Sequence, residues 1–302
     1  MKMTVQSPAK LNLFLDITGK RSDGYHLIDT IMQSVSLYDD ITVTIDKDGS
    51  GISLSCSRED IPCDSSNTAY KAAEQFFAHT GLPMGGVHIK IKKRIPSGAG
   101  MAGGSTDAAG VLYCLNELTG ADLSKDELAE IGERIGADVP FCVYGGTMSA
   151  GGIGTILSPL PDMPDAEIVI VMPSFRISTK EAYAKSDTLG YDEPKSMDAA
   201  ASAVCSGHIG AIAGNLYNRF EEVADIAEIA SIQSLMKDCG ALGALMTGSG
   251  SAVYGLFDSK DRAEDCESKL REQNYHDIYI VHPVACGPVP MVHGGIIGSL
   301  LG

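Results

Sequence analysis

Pro96-Ser97-Gly98-Ala99-Gly100-Met101-Ala102-Gly103-Gly104-Ser105-Thr106-Asp107-Ala108-Ala109 is the stretch from which the rest of the chain can be read. Its first half consists almost wholly of small residues. Glycine reaches backbone angles closed to other residues, so such a loop can curl its N–H groups around an anion. Its second half has the form of a helix start. Ser105 or Thr106 would be the N-cap, Asp107 would suit the positive end of the dipole, and Ala108, Ala109, Val111, Leu112 and Leu115 give an apolar face. Upstream, Val87, Ile89 and Ile91 alternate with His88, Lys90 and Lys92, which predicts a strand. Strand, glycine loop and helix together predict a phosphate cradle at a helix N-terminus. The plainer reading is a tight glycine turn joining a strand to a packed helix.

The commoner phosphate motifs do not fit. No lysine follows Gly103 or Gly104, as a P-loop requires. Gly98, Gly100 and Gly103 match G-x-G-x-x-G, but the helix after them leads to a second helical stretch, Ser124–Arg134, where a dinucleotide fold needs a hydrophobic strand.

With 302 residues, 44% of them hydrophobic, the chain can form one large domain or two modest ones with a substantial core. A net charge of -16 argues against nucleic acid and anionic membranes as partners. It also makes a phosphate site depend on local positive charge. Lys10, Lys92, Lys93 and Arg94 are the candidates, helped by helix N-termini and a divalent cation. The 8 cysteines form neither C-x-x-C pairs nor zinc-site spacings, which suits a cytoplasmic protein. The first apolar run is interrupted by Asn12 and Asp16, so no signal peptide is expected, and no stretch reads as a bilayer span.

Thr4 to Ile17 reads as a strand in which Pro8 demands a bulge or an edge. Lys10 and Asn12 share one face, either lining a cleft or simply facing solvent. Asp23-Gly24 marks a turn, and Tyr25-His26 re-enters a strand, as packing residues or as ligand contacts. Strands follow over Ile31–Leu37, Ile41–Ile45 and Ile52–Cys56, then a helix capped by Asn67 and running to Thr80. Ser124 and Glu127 form a capping box. Asp138 lies among apolar residues just before Pro140, as either a helix cap or a desolvated functional carboxylate. Cys142 reads as core. The proline-rich run Pro159–Pro164 is the best boundary, dividing the chain into 1–158, 159–284 and a tail, 285–302, without assignment. Beyond it, strands at Glu167–Met172, Ala241–Met246, Ala252–Phe257 and Asp277–Val281 alternate with helices, predicting a helix-backed antiparallel sheet.

Pro8-Ala9-Lys10-Leu11-Asn12-Leu13, the Gly98–Ala109 loop and Thr247-Gly248-Ser249-Gly250-Ser251 form a trio that resembles the GHMP kinases. Ala9–Leu13, Lys20-Arg21-Ser22-Asp23-Gly24-Tyr25-His26 and Gly136-Ala137-Asp138-Val139-Pro140-Phe141 are most similar to the branch that phosphorylates a cytidine diphosphate conjugate of methylerythritol in non-mevalonate isoprenoid synthesis. The likeness runs in order to about Val284. It implies a two-domain α/β (α+β) GHMP kinase fold with a deep cleft, using ATP and Mg²⁺. It implies Asp138 as base and Lys10 as the stabiliser of developing charge. Asn67, Lys93, Pro96, Gly98, Gly100, Met101, Ala102, Gly103, Gly104, Ser105 and Thr106 would meet the nucleotide, with Ser105 toward the metal. Asn12, Tyr25, His26, Thr179 and Tyr183 would contact the cytidine substrate.

Overall fold

The computed structural model describes residues 1–191, 194–224 and 226–291. One long antiparallel hairpin, β1 (Lys2–Lys20) and β2 (His26–Asp46), forms the centre of the first sheet. The break expected between Leu37 and Ile41 is instead a bulge within a continuous strand. Pro8 pairs with Tyr38 but Ala9 pairs with Val35, so β2 absorbs the extra residues where proline interrupts the ladder. At the hairpin tip the Arg21 N–H donates to the Tyr25 carbonyl at 2.7 Å.

From there β3 (Gly51–Cys56), α1 (Thr68–Thr80) and β4 (Gly86–Lys92) make a parallel crossover, β4 lying between β2 and β3. Helices α2 (Gly103–Thr119), α3 (Lys125–Glu133) and α4 (Val139–Tyr144) follow, then the hairpin β5 (Thr147–Gly151) and β6 (Ile156–Pro159). Asn67 caps α1 by accepting from the Ala69 N–H at 2.9 Å, and the Ser124–Glu127 capping box opens α3, both as expected. The apolar faces of α1 and α2, among them Phe76, Val111, Leu112 and Leu115, bury against Val43, Ile89 and Ile91 of the sheet.

The second half comprises β7 (Glu167–Val171), α5 (Thr179–Ser186), α6 (Asp198–Cys205), α7 (Ile209–Gly214), β8 (Tyr217–Asn218), α8 (Ala227–Asp238), β9 (Gly243–Met246), β10 (Val253–Phe257), α9 (Lys260–Glu272), β11 (Ile278–Val281) and β12 (Val289–Pro290). Strands β11-β7-β10-β9 form an antiparallel sheet backed by α8 and α9, as the pattern predicts. Two strands return to the first sheet: β8 pairs parallel with β1, and β12 pairs antiparallel with it. The start of the tail therefore has a place in the fold, while residues 292–302 lie outside the described residues.

The halves share a core. Leu11, Leu13, Ile95, Ala99 and Met101 pack with Ile168, Ile170, Tyr254 and Leu256. Each fully buried aliphatic side chain contributes about 1.5–3 kcal/mol. Within this core the Tyr254 hydroxyl donates to the Asn12 carbonyl at 2.9 Å, so the strand carrying Lys10 and Asn12 is clamped from the second sheet. Among the described residues no helix is long and apolar enough to cross a membrane.

Candidate active site

A cleft of about 510 Å³ opens where the three motif-bearing segments meet. The glycine loop packs backbone to backbone on the 247–251 loop. A Cβ on Gly100 would lie 2.2 Å from the Thr247 carbonyl oxygen, and φ there is +74°, so only glycine fits. The Ala252 N–H reaches the Ala99 carbonyl at 3.3 Å. Thr247 Oγ1 accepts from the Asn12 N–H at 3.0 Å and thereby ties β1 to the same loop.

Helix α2 begins earlier than its sequence suggests. Its N-cap is Ala102, in the left-handed region at φ 55° and with no side-chain cap, and not Ser105 or Thr106. The Thr106 hydroxyl is buried and donates to the Pro8 carbonyl at 2.8 Å, so Thr106 fastens α2 to β1 and faces away from the cleft. An uncapped start leaves the Gly103, Gly104 and Ser105 N–H groups without acceptors among the described residues. These N–H groups, the helix dipole and the curled Gly98–Gly100 backbone make an anion cradle. Pro96, Gly98, Gly100, Met101, Ala102, Gly103, Gly104, Ser105 and Asn67 all line the cleft. The Ser105 hydroxyl has no partner among the described residues and can turn toward a phosphate oxygen or a cation.

Lys93 lines the same cleft and is paired within the protein. Its Nζ lies 2.5 Å from Asp39 Oδ2 and 2.8 Å from Asp107 Oδ2, and donates to the Gly103 carbonyl at 3.1 Å. Burial opposes its charge, but the two carboxylates outweigh burial and hold the amine above its ordinary value. Arg94 is likewise committed, its guanidinium forming a two-pronged pair with Asp40 at 2.8 and 2.6 Å. The amine of Lys93 is therefore held by protein groups, while the residue stays in the lining of the cleft where the nucleotide is expected.

Lys10 and Asp138 meet across the cleft. Lys10 Nζ donates to Asn12 Oδ1 at 2.6 Å and lies 4.0 Å from Asp138 Oδ2. Lys10 is buried and Asp138 half-exposed, so the solvent-facing reading of the Lys10 face is wrong. Asp138 sits just ahead of α4 in a right-handed helical conformation, and its side chain caps nothing. Of the two readings of Asp138, the structure therefore removes the cap and leaves a carboxylate facing a buried amine. Cys142 is core, its thiol pushed up first by burial and then by the Asp138 charge.

The far end of the cleft is lined by Asn12, Thr30, Thr179 and Tyr183, with Leu15, Ile28 and Phe220 as apolar wall. The Thr179 and Ser249 hydroxyls share a hydrogen bond of 2.8 Å. Tyr183 packs edge-on to Phe220 and stacks on His26 at 4.4 Å, and burial, followed by Asp138, pushes its hydroxyl up to about 12. His26 and Tyr25 do not line the cleft. His26 Nε2 is 2.6 Å from Asp187 Oδ1, and Tyr25 is 61% exposed at the hairpin tip. Asp187 also accepts from Lys20 at 2.5 Å and from Tyr191, and these bonds hold its carboxyl well below the usual range. Asp39, Thr30, Phe220 and Asp187 carried no local signal in the sequence, because each takes its role from partners distant along the chain. Gly248, Ser249 and Gly250, by contrast, belong to the motif already singled out.

Two family models match: GHMP kinases N terminal domain over residues 67–146, and GHMP kinases C terminal over 200–276. The chain is 39% identical over 284 residues to 4-diphosphocytidyl-2-C-methyl-D-erythritol kinase of Clostridium botulinum (strain Eklund 17B / Type B), covering 93% of this chain and 100% of the relative. It is 40% identical over 284 residues to the protein of that name from Clostridium beijerinckii, with the same coverage of both. A crystal structure of 4-(cytidine 5'-diphospho)-2C-methyl-D-erythritol kinase superposes with a TM-score of 0.78 at 32% identity, over 93% of this chain and 99% of that one. Homoserine kinase from Cytophaga hutchinsonii shares the fold, with a TM-score of 0.77 at 17% identity over 96% of this chain and 97% of that one. The chain belongs to the 4-diphosphocytidyl-2-C-methyl-D-erythritol kinase family of the GHMP kinases.

Proposed function

We propose that this chain transfers the γ-phosphoryl group of ATP to the 2-hydroxyl of 4-diphosphocytidyl-2-C-methyl-D-erythritol, a step of non-mevalonate isoprenoid synthesis. The observation that carries the reading is Lys10 facing Asp138 at 4.0 Å, in a cleft whose other wall is the uncapped start of α2. The names of the relatives supply the substrate.

The reaction needs a held triphosphate, neutralised charge and an aligned hydroxyl. The N–H groups of Gly103, Gly104 and Ser105 bind and orient the β- and γ-phosphates. Asp138 accepts the proton of the acceptor hydroxyl, and Lys10, held by Asn12, stabilises the oxygen as charge builds on it. Among the described residues no cluster of three acidic, histidine or cysteine side chains forms a metal cage. That suits Mg²⁺ held mainly by the nucleotide, with the Ser105 hydroxyl beside it. Mg²⁺ would neutralise charge on the phosphate oxygens.

Asn12, Thr179 and Tyr183 bind the cytidine conjugate, with His26 and Tyr25 at the margin of that end. The ring of Tyr183, backed by His26 and Phe220, offers a rigid face for a pyrimidine. The second sheet lies wholly within 159–284, while β8 and β12 return to the first sheet across the proposed division, and the reduced cysteines fit a cytoplasmic setting. The test is incubation with ATP, Mg²⁺ and a panel of alcohols. Phosphorylation of the cytidine conjugate but not of mevalonate or homoserine supports the reading, and the reverse defeats it.

A further inference from the structure

Three buried charges sit behind the phosphate cradle. The side chains of Lys93, Asp39 and Asp107 are 3%, 0% and 4% exposed. Asp39 Oδ1 accepts from the Arg94 N–H at 2.6 Å and from the Ile95 N–H at 2.9 Å, the two residues that enter the glycine loop. Lys93 donates to the carbonyl of Gly103, the residue that leaves the loop and starts α2, and to Asp107 in the next turn of that helix. The Lys93–Asp39 contact of 2.5 Å joins the two ends. Residues 96–102 thus form a loop closed at its base by one ion cluster, which also holds the Gly103 end where the cradle N–H groups of Gly103, Gly104 and Ser105 begin.

We propose that Asp39, Lys93 and Asp107 act as a staple that holds the glycine loop in its anion-receiving shape, so that Lys93 sets the affinity for a nucleotide triphosphate through the shape of that loop. The proposal rests on the loop being the ATP site. Two ionised carboxylates against one ammonium would leave a negative charge directly behind an anion cradle, and uncompensated buried charge is costly. Asp107 Oδ1 accepts no hydrogen bond among the described residues. Burial pushes the Asp107 carboxyl up, the Lys93 charge opposes that and the Asp39 charge adds to it, so the ammonium is what holds the two carboxylates together. A Cβ on Gly103 would come within 3.2 Å of both Lys93 Nζ and Ile95 Cγ2, so a side chain there would crowd the staple. The staple leaves the far end of the cleft untouched, which predicts a selective effect.

The experiment uses the full chain. Wild type is first shown to bind ATP by calorimetry; absence of binding would overturn the cradle and the staple together, before any variant is made. Lys93→Met/Asp39→Asn removes the link while limiting unbalanced charge, and Lys93→Arg keeps the charge in case the double variant does not fold. Thermal melting establishes folding. The expected result is a Kd for ATP raised tenfold or more in the double variant and less in Lys93→Arg, with the KM for the cytidine conjugate changed less than twofold. A folded variant that binds ATP within twofold of wild type would overturn the proposal. So would equal losses for both substrates, which would mark general disruption.

Discussion

Lys10 Nζ stands between Asn12 Oδ1 at 2.6 Å and Asp138 Oδ2 at 4.0 Å, so one buried amine of the β1 strand faces a half-exposed carboxylate. Such a pair leaves room for an acceptor oxygen beside both groups. Asp138→Asn should keep ATP binding and lower kcat by roughly 10²–10⁴, the range for loss of a general base. Because the Asp138 side chain caps nothing, its melting temperature should hardly move. Near-wild-type turnover in the asparagine variant would remove Asp138 from the chemistry.

Gly100 gives the sharpest test of the cradle. An added Cβ would lie 2.2 Å from the Thr247 carbonyl oxygen at a residue whose φ is +74°. Gly100→Ala should therefore push the glycine loop off the 247–251 loop, destabilising the protein by about 1–3 kcal/mol and weakening ATP binding at least tenfold. Calorimetry with ATP on the folded fraction checks this. Unchanged affinity would place the phosphates elsewhere.

Asp187 predicts a dependence on pH. Its carboxyl is lowered, first by Lys20 and then by Tyr191 and His26, so its stabilising links are present above the ordinary carboxylate range near 4 and are lost as pH falls toward the lowered folded value. The site is partly exposed, so the effect is modest. Melting curves of wild type and Asp187→Asn should differ at neutral pH and converge in strong acid. A gap that persists at the acid end would show that the substitution acts through something other than charge.

Much of this was legible in the sequence, for a physical reason. Alternation over Val87–Lys92 and the caps at Asn67 and Ser124 are local signals, and the strands and helices they mark are present. Function bends the local rules elsewhere. Ser105 and Thr106 look like caps, yet a side-chain cap on α2 would compete with an anion for the same N–H groups, and the helix begins at Gly103 without one. Lys93 reads as a free cation because its neutralising partner, Asp39, lies on a strand remote in sequence. Tyr25 reads as a stacking face from its motif, but the hairpin tip leaves it exposed while Tyr183 lines the cleft.

Tyr183 should accordingly carry more of the pyrimidine contact than Tyr25. Its ring is fixed between His26 and Phe220 before any ligand arrives. Tyr183→Ala should raise the KM for the cytidine conjugate by an amount corresponding to about 0.5–1.5 kcal/mol beyond lost burial, with ATP affinity unchanged. Tyr25→Ala should do the same to a smaller degree. An equal loss of ATP binding in Tyr183→Ala would show that the ring supports the cleft as a whole.

The most direct measurement is the specificity constant, kcat/KM, for 4-diphosphocytidyl-2-C-methyl-D-erythritol against that for mevalonate and homoserine, in one preparation with ATP and Mg²⁺. A site built to pair with a base leaves buried polar groups unsatisfied when the base is missing, at about 1–3 kcal/mol each. The cytidine conjugate is expected to be preferred by several orders of magnitude, with ADP and a singly phosphorylated conjugate as the products found by mass. Equal or reversed specificity constants would contradict the assignment and leave only a GHMP kinase of different substrate.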